Sequence, residues 1–234
     1  MPSISDINAE ARDLVDADTT SYPAPILLRR VNQALEEEIG KIIALDGSWQ
    51  FDDTNFTDLP VATATLVAGQ NDYSFDSSQL EILRVAVKDS SGKYFFLNPI
   101  DILEERSQPL EEIYNVNGLP ERYDKSGSSI FVYPAPAAGS VTLVAGLKVW
   151  FQRTAAIYTS EEVTTGTKKP GFASPWHYIL SYKAALPYAL SYKKDRVPMI
   201  MSEITRMETE LLNHYARREK DVQKGLGMSG VSFQ

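Results

Sequence analysis

The chain opens on two stretches with helical spacing. Ile4, Ile7, Ala11, Leu14 and Val15 share one face, and Ser3 with Asp6 has capping-box spacing, so residues 3–15 read as a first helix. Residues 16–22 are polar and run into Pro23, which marks a loop. Pro25 suits the first turn of a second helix, whose stripe is Leu27, Leu28, Val31, Leu35, Ile39, Ile42 and Ile43. It runs to Leu45, with Gly47 as a stop signal. Glu36, Glu37 and Glu38 fall in mid-helix, and Lys41 is in ion-pair spacing with the last two.

After Gly47 the period drops to two. Trp49 and Phe51 alternate, Val61 to Val67 alternates, and Ala68 to Asp72 turns into a short strand with Tyr73 and Phe75. Leu80 to Val87 reads as a half-buried strand, returning through Asp89 to Gly92 to Tyr94–Leu97. Residues 99–106 are expected to form a short helix, and Val141 to Phe151 another strand. The short links predict mostly antiparallel pairing. Residues 153–174 form a polar loop. Helical spacing then returns with Tyr178, Ile179, Tyr182, Ala185, Leu186, Ala189 and Leu190, where Pro187 predicts a kink or two pieces. A last helix is expected over 198–224, with the stripe Ile200, Met201, Ile204, Met207, Leu211, Leu212 and Tyr215. The fold class is therefore α+β: a helical bundle formed by the N- and C-terminal helices, with an inserted antiparallel β-rich block. The expected parts are 1–48, N-terminal helices; 49–160, the β block; 161–224, C-terminal helices; and 225–234, a flexible docking tail.

Composition narrows the chemistry. The chain has 234 residues, no cysteine and two histidines, which removes disulfides and thiolate metal sites. Its net charge of −8, acidic to about residue 120, argues against tight phosphate binding. Neither a signal peptide nor an apolar run of about 18 residues is present, so cytosolic synthesis without a membrane anchor is expected. The acid pairs Asp52–Asp53, Glu104–Glu105, Glu111–Glu112 and Glu161–Glu162 read as solvated surface, because adjacent acids point apart. Ser174 and His177 are close in sequence without a nucleophile elbow, and read as a helix start. Lys168–Lys169 and Lys193–Lys194 are short basic runs that fit solvent or a partner's acids better than phosphate. No catalytic residue, cofactor site or metal site is expected.

The most specific pattern is Gly118 to Pro136. Gly118 and Pro120 mark a turn, Tyr123 lies on a short strand, and Gly127 supplies the reversal. Ile130 to Tyr133 forms the return strand, which Pro134 and Pro136 end. This G-x-P-x-x-Y, Gly127, I-x-x-Y-P-x-P pattern resembles the hairpin of head-to-tail adaptor (connector) proteins of tailed bacteriophages. The opening helix pair, the Trp49–Phe51 step, the strand Tyr73-Ser74-Phe75-Asp76 and the long final helix extend the resemblance over about residues 25–215. Asp76 stands where that family often has proline.

The resemblance implies a non-enzymatic virion protein of the neck, assembled in the host cytoplasm. It would form a homo-oligomeric ring, dodecameric, between the portal protein and the tail or a stopper protein. DNA would pass through it without specific binding. Glu36, Glu37 and Glu38 are candidate lumen-facing acids. Leu226, Met228, Val231 and Phe233 are candidate anchors by which the glycine-rich tail docks on a partner. Two other classes fit the composition: a carbohydrate- or receptor-binding virion module, and a small acid-dependent hydrolase.

Overall fold

The computed structural model describes residues 2–45, 60–76, 79–100, 116–162 and 168–218. The chain divides into two compact units, one of Met1–Phe56 with Ala155–Gln234, the other of Thr57–Thr154. Four α-helices are described, all in the first unit: α1 (Ile4–Asp13), α2 (Ala24–Leu45), α3 (Ile179–Tyr192) and α4 (Val197–Arg218). The α+β class, with helices from both chain ends and strands inserted between them, is what the periodicity predicts.

Local chemistry sets the helix ends. Ser3 Oγ accepts from the Asp6 amide at 3.3 Å, and the Asp6 carboxylate accepts from the Ser3 amide at 2.8 Å, which closes the capping box. The apolar stripes then meet. Ile4, Ile7 and Ala11 of α1, Leu27, Val31 and Leu35 of α2, Ile179, Leu180 and Ala184 of α3, and Ile200, Met207 and Leu211 of α4 form one buried core. Four hydrogen bonds fasten elements far apart in sequence. Tyr22 donates its hydroxyl to Ala184 O at 2.6 Å, Ser181 to Ile7 O at 3.0 Å, and Asn32 exchanges a pair with the Tyr158 backbone at 2.8 and 2.9 Å.

Three expectations are refined in this unit. Of the two readings at Pro187, a kink or two pieces, the second is excluded: Pro187 lies inside a single helix, where packing against α1, α2 and α4 offsets the missing amide bond. The segment after residue 153 is not merely a solvent loop: Ala155, Tyr158 and Phe172 are buried in the helical core. Met201, placed on the α4 stripe, is exposed. Of the final helix, residues 219–224 lie outside the described residues.

Among its described residues, the second unit holds eight strands in two four-stranded sheets. In chain order they are β1 (Val61–Ala64), β2 (Asp72–Ser74), β3 (Gln79–Lys88), β4 (Tyr94–Phe96), β5 (Asn98–Pro99), β6 (Arg122–Ser126), β7 (Ser129–Tyr133) and β8 (Leu147–Arg153). One sheet has the order β1-β8-β3-β4 and the other β2-β7-β6-β5. Alternate residues point inward, so Ile82, Val85, Val87, Val149 and Phe151 meet Tyr73, Ile130 and Val132 in one core.

Two expectations change here as well. Asn98–Pro99, where a helix was expected to begin, is a strand paired parallel to β6, and residues 101–106 lie outside the described residues. Pro99 is tolerated because β5 lies at the sheet edge. The strand expected from Val141 begins only at Leu147. A tight reversal intervenes, where the Gly146 amide donates to Leu143 O at 3.1 Å and Ala145 takes a φ of 49°.

Candidate functional site

The Gly118–Pro136 motif folds as the alternation dictates. β6 and β7 pair antiparallel, with Arg122 opposite Tyr133, Tyr123 opposite Val132 and Ser126 opposite Ser129. Gly127 adopts a φ of 59°, which suits glycine at the reversal. The two ends are also tied together. Gly118 N donates to Ala135 O at 2.8 Å, and Ala137 N to Gly118 O at 2.9 Å. A β-carbon at Gly118 would come within 3.3 Å of the Pro134 ring. Pro134 follows a cis peptide bond, and Pro136 O accepts from the Gly69 amide at 2.8 Å. Pro120 and Tyr133 are buried and Tyr123 half-buried. The motif residues thus clamp the hairpin's open end onto the neighbouring turn.

The most concentrated chemistry lies in the helical unit, where α2, α3 and α4 each contribute charge. Glu37, Glu38 and Lys41 come from α2, Lys183 from α3 and Glu208 from α4. Lys183 Nζ lies 2.9 Å from Glu37 and 2.6 Å from Glu208, and also pairs with Glu38. Lys41 Nζ lies 2.9 Å from Glu37 and 3.2 Å from Glu38, and also pairs with Glu208. The Glu38 side chain is fully buried and that of Lys183 nearly so, whereas Glu37 faces solvent. Burial pushes the Glu38 carboxyl above its usual range despite both lysines. Burial also works against Glu208, but hydrogen bonds from Lys183 and Lys41 outweigh it and bring that carboxyl down to about 2.

A cleft of about 440 Å³ opens beside this knot, walled by Arg30, Leu186, Pro187, Leu190 and Ile204. One oxygen from each of Glu37, Glu38 and Glu208 lies within 4.8 Å of the others, a spacing a metal ion could use. The two ammonium groups already sit on those oxygens, so a cation would have to displace both lysines. As it stands, the cluster is an ion-pair knot joining three helices.

The expected site residues are distributed unevenly. Glu36 and Glu37 are exposed, but Glu38 cannot face a lumen: it is fully buried at the knot. Its position between Leu35 and Ile39, on the apolar side of α2, was the signal for that. Lys183 and Glu208 were missed, although Lys183 interrupts an otherwise apolar helix. Leu226, Met228, Val231 and Phe233 lie outside the described residues, as do Asp52–Asp53, Glu104–Glu105 and Glu111–Glu112. His177 is buried with Nε2 2.6 Å from Phe172 O, so it serves the helix start rather than Ser174. The His214 ring packs at a tilt of 43° against Trp176, 5.0 Å between ring centres. Lys168 pairs with Glu162 at 3.3 Å, and Lys193 lies 3.7 Å from Asp16.

These features define an α+β protein whose most specific residues are structural: a clamped hairpin in one unit and an ion-pair knot in the other. A family model described as SU10 adaptor protein matches residues 2–222, and the chain belongs to that family. It is thus a structural adaptor component of a bacteriophage virion. No curated protein matches the chain. No described helix is long and apolar enough to cross a membrane.

Proposed function

We propose that the protein forms a closed homo-oligomeric ring in the phage neck, joins the portal to the tail, and lets DNA pass. The family match over residues 2–222 carries this reading. The helical unit supports it with apolar surface left over after its core is filled. Leu190, Tyr192, Met199 and Met201, all near the α3–α4 connection, are between 44% and 73% exposed. Such exposure suits an assembling surface more than a solitary one. In this reading the glycine-rich end, with Leu226, Met228, Val231 and Phe233, docks on a neighbouring copy or on the portal. Glu36 and Glu37 supply exposed acid toward the channel, so that DNA slides rather than sticks.

Purified portal mixed with the full chain tests the reading by native mass spectrometry and electron microscopy. A ring of chain copies capping the portal is expected, dodecameric on the resemblance. A chain that stays monomeric beside assembled portal refutes it.

A further inference from the structure

The outward face of the β1-β8-β3-β4 sheet carries an alternation of cations and aromatic rings. The register sets Lys88 opposite Tyr94 and Arg84 opposite Trp150, with Ala86 between Phe96 and Lys148. Alternate residues share a face, so Arg84, Ala86 and Lys88 lie between Phe96 and Tyr94 on one side and Trp150 and Lys148 on the other. The Arg84 guanidinium lies 5.0 Å from the Phe96 ring centre. The Lys88 and Lys148 ammoniums each lie 5.2 Å from that of Tyr94, and Lys148 also lies 4.9 Å from that of Trp150. Phe96 and Trp150 are 5.3 Å apart, and Phe96 is 54% exposed.

This surface is ordered yet unsatisfied. Among the described residues no carboxylate pairs with Arg84, Lys88 or Lys148, whereas Lys41, Lys168, Lys183, Arg196 and Arg206 all have one. The rings hold the cations in place, which lowers the entropy lost when an anionic partner arrives. Each ring already has one of the chain's own cations against it, so a nucleobase stacking at that position would have to displace it. A duplex backbone would use the charges and leave the apolar ring area idle. Aromatic rings beside arginine are what anchors between proteins are made of. The acid needed to complement them is abundant on this chain, whose net charge is −8 and whose helical unit exposes Asp13 and Asp18.

We propose that this sheet face docks the acidic surface of a second copy of the chain. The two sides of such a contact differ, so it repeats head to tail and builds a ring where the rotation closes. What the contact builds rests on the ring reading above, while the contact itself can be tested without portal. Sedimentation equilibrium of the full chain at about 20 mM and about 500 mM salt should show self-association that weakens with salt. The double variant R84E/K148E should weaken it at low salt by at least about tenfold, since each reversal places like charges together.

Carbodiimide cross-linking of mixed isotopically light and heavy wild-type chains gives a readout that no variant's folding can disturb. Mixed-isotope peptides should join Lys88 or Lys148 to an acidic residue of the other copy. A monomer at every concentration in low salt overturns the proposal, as do inter-copy links that avoid both lysines. Binding of a DNA oligonucleotide that R84E/K148E abolishes would also overturn it, by giving the face to nucleic acid. Sheet-mediated self-association without capping of the portal would instead count against the neck reading alone.

Discussion

Replacing Lys183 by methionine should cost more than almost any other single change in the helical unit. The ammonium touches Glu37, Glu38 and Glu208, and methionine keeps most of the chain's bulk while removing its charge. Three carboxylates then face Lys41 alone, so the excess negative charge at the knot rises from one to two. Glu38 is fully buried and Lys183 only 9% exposed, so water screens little of the change. Removing one partner of a buried pair costs about 3–5 kcal/mol, and that range is expected at pH 8. Glu37 adds little, because it is 54% exposed.

The cost should also depend on pH, with a sign fixed by Glu38. Its folded-state carboxyl already titrates above the usual range, and losing Lys183 pushes it further in that direction. A raised carboxyl favours the folded state at low pH and loses that advantage as pH rises through the folded value. The penalty of Lys183→Met should therefore be smaller at pH 5 than at pH 8. Urea unfolding followed by helical circular dichroism at both pH values measures it, and Lys183→Met with Glu38→Gln should recover a large part of the loss. A penalty under about 1 kcal/mol at both pH values, or one that does not change with pH, would refute the burial argument.

Ser3→Ala should lose about 1 kcal/mol by opening the capping box, read as an earlier urea midpoint of the helical signal. Gly146→Ala should destabilise the β unit by at least about 2 kcal/mol, because the new β-carbon would meet Thr142 O at 2.1 Å and Leu66 at 2.8 Å; Trp150 fluorescence during unfolding reports it. Burial pushes the Tyr22 hydroxyl up to about 12 in the folded state. The unfolded chain therefore ionises first, so Tyr22's share of stability holds below pH 10 and falls between about 10 and 12. Comparing the alkaline unfolding of wild type and Tyr22→Phe checks this, and identical profiles would refute it.

The sequence shows its local rules and hides its distant ones. The capping box at Ser3, the helix phases and the Gly127 reversal each depend on neighbours within a few residues, so periodicity and turn chemistry suffice to read them. The pairing of Lys183 with Glu38 joins positions 145 apart, and nothing local announces it except charges on apolar faces. The β5 strand misleads for a related reason. Pro99 looks like a helix start until its edge position is known. The delayed start of β8 follows from Gly146, where no side chain fits and the backbone must turn first. Burial of Glu38 was within reach, since it falls among Leu35, Ile39 and Ile42, but local spacing treats charge as surface.

The division of the helical unit between the two chain ends sets an order of events during synthesis. α1 and α2 leave the ribosome early, yet the partners of their apolar stripes lie in α3 and α4. The Ser181–Ile7 bond alone spans 174 positions. At about 5–20 residues per second, the wait for α4 is on the order of ten seconds or longer. The strands of the β unit emerge within that interval and can pair first, while two isolated helices stay marginal in water. Any assembly surface that depends on the α3–α4 end therefore does not exist on a nascent chain. A polypeptide interrupted within or just after the β unit would present Leu27, Val31 and Leu35 uncovered. Such fragments should aggregate or be degraded rather than join an oligomer of intact chains.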